Sequence, residues 1–127
     1  MTIVGVEGFA GVLAVLTVCH LVGDWLLQTD WMAREKEKQW SALLTHVSVW
    51  TICFLLPATA GLFSPLWLLW LAGTHLVLDG TRFVGWWMTA IKRVPETDLR
   101  GSAWWLVVAV DQVLHFLTLV PVAAISG

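Results

Sequence analysis

The sequence predicts an all-α membrane protein, built as an up-down bundle of four transmembrane helices. Of its 127 residues, 58% are hydrophobic and 13% are charged, whereas a soluble domain is close to half apolar and a quarter charged. The apolar residues fall into four segments that approach or exceed the ~20 residues needed to span a bilayer. These segments lie near residues 5–29, 41–61, 65–88 and 103–125. Residues 1–127 are therefore predicted to form a single transmembrane domain.

Helix-terminating residues mark the boundaries of these segments. A polar stretch rich in Lys and Glu follows the first segment. Ser41 can cap the second helix, which Pro57 and Gly61 terminate or kink. Pro65 suits the first turn of the third helix, and the loop 92–101 separates the third helix from the fourth. Because these connections are short, neighbouring helices are expected to be antiparallel.

The basic residues predict the orientation of the bundle. No Lys or Arg precedes the first apolar segment, so it is expected to remain as a spanning helix rather than serve as a cleaved signal peptide. The positive-inside rule places the first and third loops in the cytoplasm and both termini on the extracytoplasmic side. Six of the seven Lys and Arg residues lie in these two loops: Arg34, Lys36, Lys38, Lys92, Arg93 and Arg100.

Seven His and Asp residues lie inside the predicted spans, including every histidine of the chain. Three spans carry a His and an Asp four residues apart, which places both side chains on one helix face. Ionisable groups at membrane depth indicate a functional site. The seven residues are His20 and Asp24, His46, His75 and Asp79, and Asp111 and His115.

The depths of these residues also agree. Counted from the inner boundary at ~1.5 Å per residue, the three aspartates and His46 lie roughly 7–12 Å deep, and the other histidines lie roughly 13–20 Å deep. The Asp-before-His order of the fourth span is the reverse of the first and third, as an antiparallel helix requires to keep its Asp at the same level. The four polar faces are therefore expected to converge on the bundle axis.

Three interpretations of this cluster are open. A hydrogen-bonded polar core would fix helix register, but such contacts contribute only ~1 kcal/mol each, and each Asp costs roughly 2.5–3.5 kcal/mol to insert at the middle of a span. A proton or cation conduit, or a haem site, is the second interpretation. The third is a metal centre, which the abundance of imidazoles and carboxylates favours.

The metal interpretation assigns roles to ten residues. The seven residues of the cluster are the expected ligands of Zn, Mn, Fe or Ni, with room for two ions bridged by an Asp and for water. In that case Asp24, Asp79 or Asp111 bridges the ions or acts as general base in a hydrolysis. Three further groups are expected to orient a ligand or contact substrate: Gln28, Arg82 and Gln112. The metal can also be structural or serve in sensing, without catalysis.

The motifs resemble a known family. His20-Leu-Val-Gly-Asp24-Trp-Leu-Leu-Gln28, His75-x-x-x-Asp79 and Asp111-Gln112-x-x-His115 resemble DUF3307, a family of small bacterial membrane proteins of unknown function. The resemblance implies a multi-pass protein of the bacterial inner membrane. A looser resemblance, in His/Asp-bearing helices only, is to predicted membrane-bound metal-dependent hydrolases. The expected partners are the lipid bilayer and a lipid or membrane-proximal substrate, without nucleic acid. The sequence leaves open whether the chain forms a homo-oligomer.

Overall fold

The computed structural model describes residues 5–125, which form helices and connecting turns only. The all-α prediction is confirmed for this part of the chain. Residues 1–4 and 126–127, and with them the predicted position of the termini, lie outside it. Seven α-helices follow one another: α1 (Val6–Leu21), α2 (Asp30–Glu35), α3 (Trp40–Ile52), α4 (Leu55–Thr59), α5 (Trp67–Gly80), α6 (Phe83–Trp86) and α7 (Trp104–Ala124). Two π-helical turns extend α1 and α6, over Val22–Leu26 and Trp87–Ile91, and a 3₁₀ turn spans Glu96–Asp98.

The first and fourth predicted spans are continuous helices. Val6–Leu26 and Trp104–Ala124 are each 21 residues long and, by length and composition, apolar enough to cross a membrane; they are the two such helices within residues 5–125. The second and third predicted spans are each interrupted. An up-down bundle of four membrane-spanning segments therefore remains a prediction.

Local chemistry explains both interruptions. The second span breaks between Ile52 and Leu55 because Pro57 has no N–H to bond the carbonyl of Cys53, four residues earlier, and its ring crowds that carbonyl. The third span breaks at Thr81, whose backbone is extended (φ −118°, ψ 170°). The Thr81 hydroxyl accepts a hydrogen bond from the Phe83 N–H at 3.3 Å, which stabilises the turn between α5 and α6.

The long helices enclose a core that is layered by helical turns. α1 packs against α7, α7 against α5 and α5 against α3, and the π-helical turn after α1 closes the ring on α3. Three fully buried leucines lie one helical turn from the histidine of their own helix: Leu16 on α1, Leu71 on α5 and Leu119 on α7. Trp50 and Phe54 are fully buried in the same cluster. An apolar layer therefore seals the bundle on one side of the histidines, and the aspartates lie on the other side.

The contact between the π-helical turn and α3 requires a glycine. A Cβ built on Gly23 would lie 2.8 Å from Trp50 Cδ1 and 2.9 Å from Trp50 Cα. The Trp50 Cα belongs to the backbone of α3 and cannot move without shifting that helix. The Trp50 side chain is also fully buried. Gly23 therefore allows Asp24, the next residue, to reach the middle of the bundle.

Substitution of Gly23 by alanine is expected to destabilise the protein by about 1–3 kcal/mol, the typical effect of overpacking a filled core. Thermal unfolding in detergent, followed by circular dichroism, measures the change. Gly73→Ala is the matched control, since a Cβ on Gly73 in α5 meets nothing within 4 Å; a helical Gly→Ala change there should be neutral or stabilising. Equal melting temperatures for the two variants would contradict the close approach at Gly23.

Candidate metal centre

Four buried side chains from three segments of the chain place ligand atoms together in the bundle. Asp24 comes from the π-helical turn, His46 from α3, and His75 and Asp79 from successive turns of α5. One ligand atom of each residue lies within 4.8 Å of the others, and all four residues are buried. We call these four residues the first group.

The spacing of the first group suits a small metal ion. His46 Nε2 lies 2.9 Å from His75 Nε2, 3.1 Å from Asp24 Oδ1 and 3.0 Å from Asp79 Oδ2. His75 Nε2 lies 3.3 Å from Asp79 Oδ2 and 3.8 Å from Asp24 Oδ1. Four ligands at ~2.1 Å around a tetrahedral ion lie ~3.4 Å apart. The observed separations scatter around that value, so the residues fit such an ion.

One oxygen of the first group lacks a hydrogen bond. Asp24 Oδ1 is buried and has no hydrogen-bond partner among the residues that the structure describes, although His46 Nε2 lies 3.1 Å away. A buried carboxylate oxygen without a partner is unfavourable. A cation between Asp24 and the two imidazoles would remove this deficit.

A second group shares Asp79 with the first. It consists of Asp79, Asp111 and His115, whose ligand atoms also lie within 4.8 Å of one another. His115 Nδ1 lies 2.8 Å from the main-chain oxygen of Asp111. Since a carbonyl only accepts, His115 Nδ1 carries a hydrogen. His115 Nε2, which has no hydrogen-bond partner within residues 5–125, lies 3.2 Å from Asp79 Oδ1. The two oxygens of Asp79 thus face two different groups, as a bridging carboxylate requires.

His20 lies beside both groups rather than in them. Trp50 Nε1–H, which can only donate, lies 3.1 Å from His20 Nδ1. Nδ1 is therefore the acceptor, and Nε2–H donates to Gln112 Oε1 at 2.9 Å. Both nitrogens of this predicted ligand are therefore engaged in hydrogen bonds to neighbouring side chains.

Gln112 joins His20 to the carboxylates. Its Oε1 also accepts from Trp25 Nε1–H at 3.0 Å. Its Nε2 donates to Asp24 Oδ2 at 2.9 Å and to Asp111 Oδ2 at 3.2 Å. Two donors that cannot accept and two carboxylates that cannot donate fix the orientation of the amide. Gln112 therefore connects the first group to the second.

Lys36 reaches the first group from the turn after α2. Its Nζ donates to Asp79 Oδ2 at 2.6 Å and to Gln28 Oε1 at 2.8 Å. The Lys36 side chain is 17% exposed, whereas that of Asp79 is 3% exposed. The ammonium thus lies at the rim of the cluster, where the buried side chains meet the surface.

Six of the seven predicted ligands fall in the two groups, and His20 does not. Gln112 donates to carboxylates of both groups, Gln28 accepts a hydrogen bond from Lys36, and Arg82 is exposed. Lys36 and Trp50 were not predicted to contribute. Trp50 lies on the same helix face as His46, so helical periodicity could have identified it. It stacks on His75 with ring centroids 4.1 Å apart. No periodic pattern in the sequence identifies Lys36.

The chain belongs to the family described as "Protein of unknown function (DUF3307)", which matches residues 12–127. The match covers nearly the whole chain, including both groups. Searches of curated proteins and of solved structures found no match.

Proposed function

We propose that this DUF3307 protein is a four-span membrane protein whose His/Asp centre binds a divalent transition metal and hydrolyses a membrane-associated substrate at the cytoplasmic leaflet. The observation that carries the proposal is the convergence of four buried ligand atoms, at metal-like spacing, from three segments of the chain. Asp79 also belongs to the second group, which could hold a second ion.

The distribution of polar and apolar side chains supports a membrane location. The four histidines are at most 1% exposed, while large apolar side chains of the helices are exposed, among them Leu26, Leu69 and Leu117. Exposed apolar surface on this scale indicates contact with lipid or a partner. The two continuous helices have the length and composition to span a bilayer, and the divided segments would supply the other two spans.

The loop contacts support the proposed orientation. Arg100 Nη2, in the third loop, donates to Glu37 Oε2, in the first loop, at 3.2 Å. The two basic loops therefore meet at one end, which the positive-inside rule assigns to the cytoplasm of the inner membrane. Lys36 enters the centre from the same end. The opposite side is closed by the buried layer that includes Leu16 and Leu71, which argues against a conduit through the bundle.

The donor atoms and charges suit one or two divalent ions. Imidazole and carboxylate ligands favour Zn, Mn, Fe or Ni; Cys19 and Cys53 belong to neither group. With neutral histidines, the ionised carboxylates of Asp24, Asp79 and Asp111 carry three negative charges. One divalent ion leaves one of these charges, which the Lys36 ammonium at the rim can balance, and a second divalent ion would require an anion as well.

The proposed chemistry is metal-assisted hydrolysis. The ion would activate water as a nucleophile near neutral pH. Asp24 and Asp79 would hold it with His46 and His75. Asp111, whose side chain is 27% exposed, is the accessible carboxylate and would accept the proton of the attacking water.

A structural or sensing metal is the second candidate function. The observation that favours it is burial, because the exposed fractions of Asp24, His46, His75 and Asp79 are all 6% or less. Structural metal sites are closed, whereas catalytic sites keep an open position. In this case the second group would not bind substrate, and the ion would hold the helices together.

Protein purified in detergent, without chelators or a polyhistidine tag, is expected to contain about one or two equivalents of Zn, Mn, Fe or Ni per chain. Inductively coupled plasma mass spectrometry measures the content. Lys92→Met is a suitable control, since Lys92 is exposed and outside both groups, and it should retain the metal. Substoichiometric metal in the freshly purified wild type, with no uptake on reconstitution, would refute the metal centre.

The hydrolytic step has its own test. Chromogenic phosphate and carboxylate esters in mixed micelles should be cleaved by the metal-loaded protein and not after chelation. If the protein retains the metal but cleaves none of these esters, the structural candidate is favoured.

A further inference from the structure

Lys36 is set apart from the other basic residues by what it contacts. Within residues 5–125, its ammonium is the one Lys or Arg group that donates to a carboxylate of the cluster. Arg34, Lys38 and Arg100 are also ion-paired, but with Asp30, Glu35 and Glu37, all in the first loop. The side chains of these three basic residues are 61–83% exposed, compared with 17% for Lys36. Loop geometry alone therefore does not account for the position of Lys36.

We propose that Lys36 is a tethered cation that competes with the divalent metal for Asp79 Oδ2, so that metal entry displaces its ammonium toward the surface. This inference rests on the proposed metal centre and describes how that centre is regulated. It assigns to the Lys36–Gln28 pair the role of a gate on the cytoplasmic side.

The competition follows from a shared atom. Asp79 Oδ2 is the oxygen that His46 Nε2 and His75 Nε2 approach at 3.0 and 3.3 Å, and it is also 2.6 Å from Lys36 Nζ. An ammonium and a divalent ion on one oxygen would repel each other within a few ångströms, where little water screens them. The ammonium and the divalent ion are therefore expected to weaken each other's binding to Asp79 Oδ2.

The displaced ammonium has a route out of the cluster. Lys36 lies in the turn that ends α2, and its partly exposed side chain is at the rim of the bundle. The four-carbon stem of a lysine allows its charge to move to water while the stem stays in place. Gln28 Oε1, the other acceptor, would hold the ammonium near the entrance. The gate thus requires movement of one side chain and no rearrangement of helices.

The experiment compares Zn²⁺ affinities of the full-length protein in detergent, at one fixed pH, by competition with a chromophoric chelator. Lys36→Met keeps the length of the stem and removes the charge; we expect it to bind Zn²⁺ at least about tenfold more tightly than the wild type. Lys36→Arg, which keeps the charge, should bind no more tightly than the wild type. Lys38→Met is the matched control, because it removes the same charge from the same loop but from a lysine that pairs with Glu35 at the surface.

The possible results separate this inference from the metal centre itself. Tighter binding by Lys36→Met alone supports the gate. Equal or weaker binding by Lys36→Met, in a variant whose circular dichroism matches the wild type, overturns the gate and leaves the metal centre standing. Equal gains in Lys36→Met and Lys38→Met would mean a bulk charge effect and also overturn the gate. If neither the wild type nor any variant binds Zn²⁺, both proposals fail. If Lys36→Met does not fold, Lys36→Gln is judged by the same criteria.

Discussion

Replacement of Asp79 by asparagine is expected to lower metal affinity by more than about 100-fold, beyond the loss typical of an outer partner of a metal ligand. Asp79 is the one residue common to both groups. Its Oδ2 faces His46 and His75, and its Oδ1 faces His115. Asparagine keeps the shape but removes the charge and one acceptor oxygen. The measurement is metal content together with Zn²⁺ affinity of the purified variant.

The same substitution should also reduce stability. It leaves Lys36 without its carboxylate and leaves the imidazoles facing an amide. Removal of one partner of a buried ion pair typically costs about 3–5 kcal/mol, and the lower end applies here because Lys36 can move to the surface. Circular dichroism must therefore establish that the variant is folded at the temperature of the metal assay.

Graded variants make this prediction specific. Asp24→Asn removes a ligand of the first group only, and Asp111→Asn removes one of the second group only. If two ions bind, each should lose about one equivalent, whereas Asp79→Asn loses both. Asp30→Asn is the control, since Asp30 has a 78% exposed side chain and should retain the full content. Retention of the full metal content by Asp79→Asn would contradict the role of Asp79 as the ligand shared by the two groups.

Much of this site was predictable because helices repeat. A His and an Asp four residues apart must share a helix face, and the reversed order Asp111–His115 predicted that the aspartates of α5 and α7 would lie at one level. The ring centroids of His20, His75 and His115, assigned to the deeper level, lie within 6.4 Å of one another. Periodicity and charge thus indicated which residues meet.

The rest depended on contacts that periodicity does not encode. The position of Lys36 depends on the turn after α2. Lys36 is surrounded there by charged residues of both signs, so the sequence does not distinguish it from its neighbours. The occupied nitrogens of His20 depend on the rotamers of Trp50 and Gln112. The breaks at Pro57 and Thr81 involve single-residue chemistry that a hydropathy pattern averages over. Arg82 follows such a break, which places it on the surface rather than on the face of His75 and Asp79.

Trp50 organises the side of the centre that holds Asp24. Its N–H fixes the tautomer of His20, whose own N–H fixes Gln112, whose amide holds Asp24 Oδ2. Every bond in this chain has a defined donor, because an indole only donates and a carboxylate only accepts. The chain leaves Asp24 Oδ1 directed at His46. Trp50 also stacks on His75 at a ring-plane angle of 16°, so one side chain orients groups on both sides of the proposed ion.

Trp50→Phe is therefore expected to weaken Zn²⁺ binding by about 10- to 100-fold, although Trp50 is not a ligand. Phenylalanine keeps an aromatic ring near His75 but removes the only group that donates to His20 Nδ1 within the described residues. The freed imidazole can take the other tautomer, and Gln112 then loses one of the two donors that fix its amide. Titration with Zn²⁺ against a chelator measures the change.

Trp70→Phe separates this effect from the loss of any tryptophan hydrogen bond. Trp70 Nε1–H donates to the Thr118 carbonyl at 2.9 Å, on the apolar side of the histidines. Each variant loses one N–H···acceptor bond, which costs about 1–3 kcal/mol where the acceptor is left unpaired. If Trp50 acts through His20 and Gln112, only Trp50→Phe loses metal affinity. An equal loss in both variants would mean that general destabilisation weakens the site, and then the orientation of Asp24 would not depend on the chain of donors that begins at Trp50.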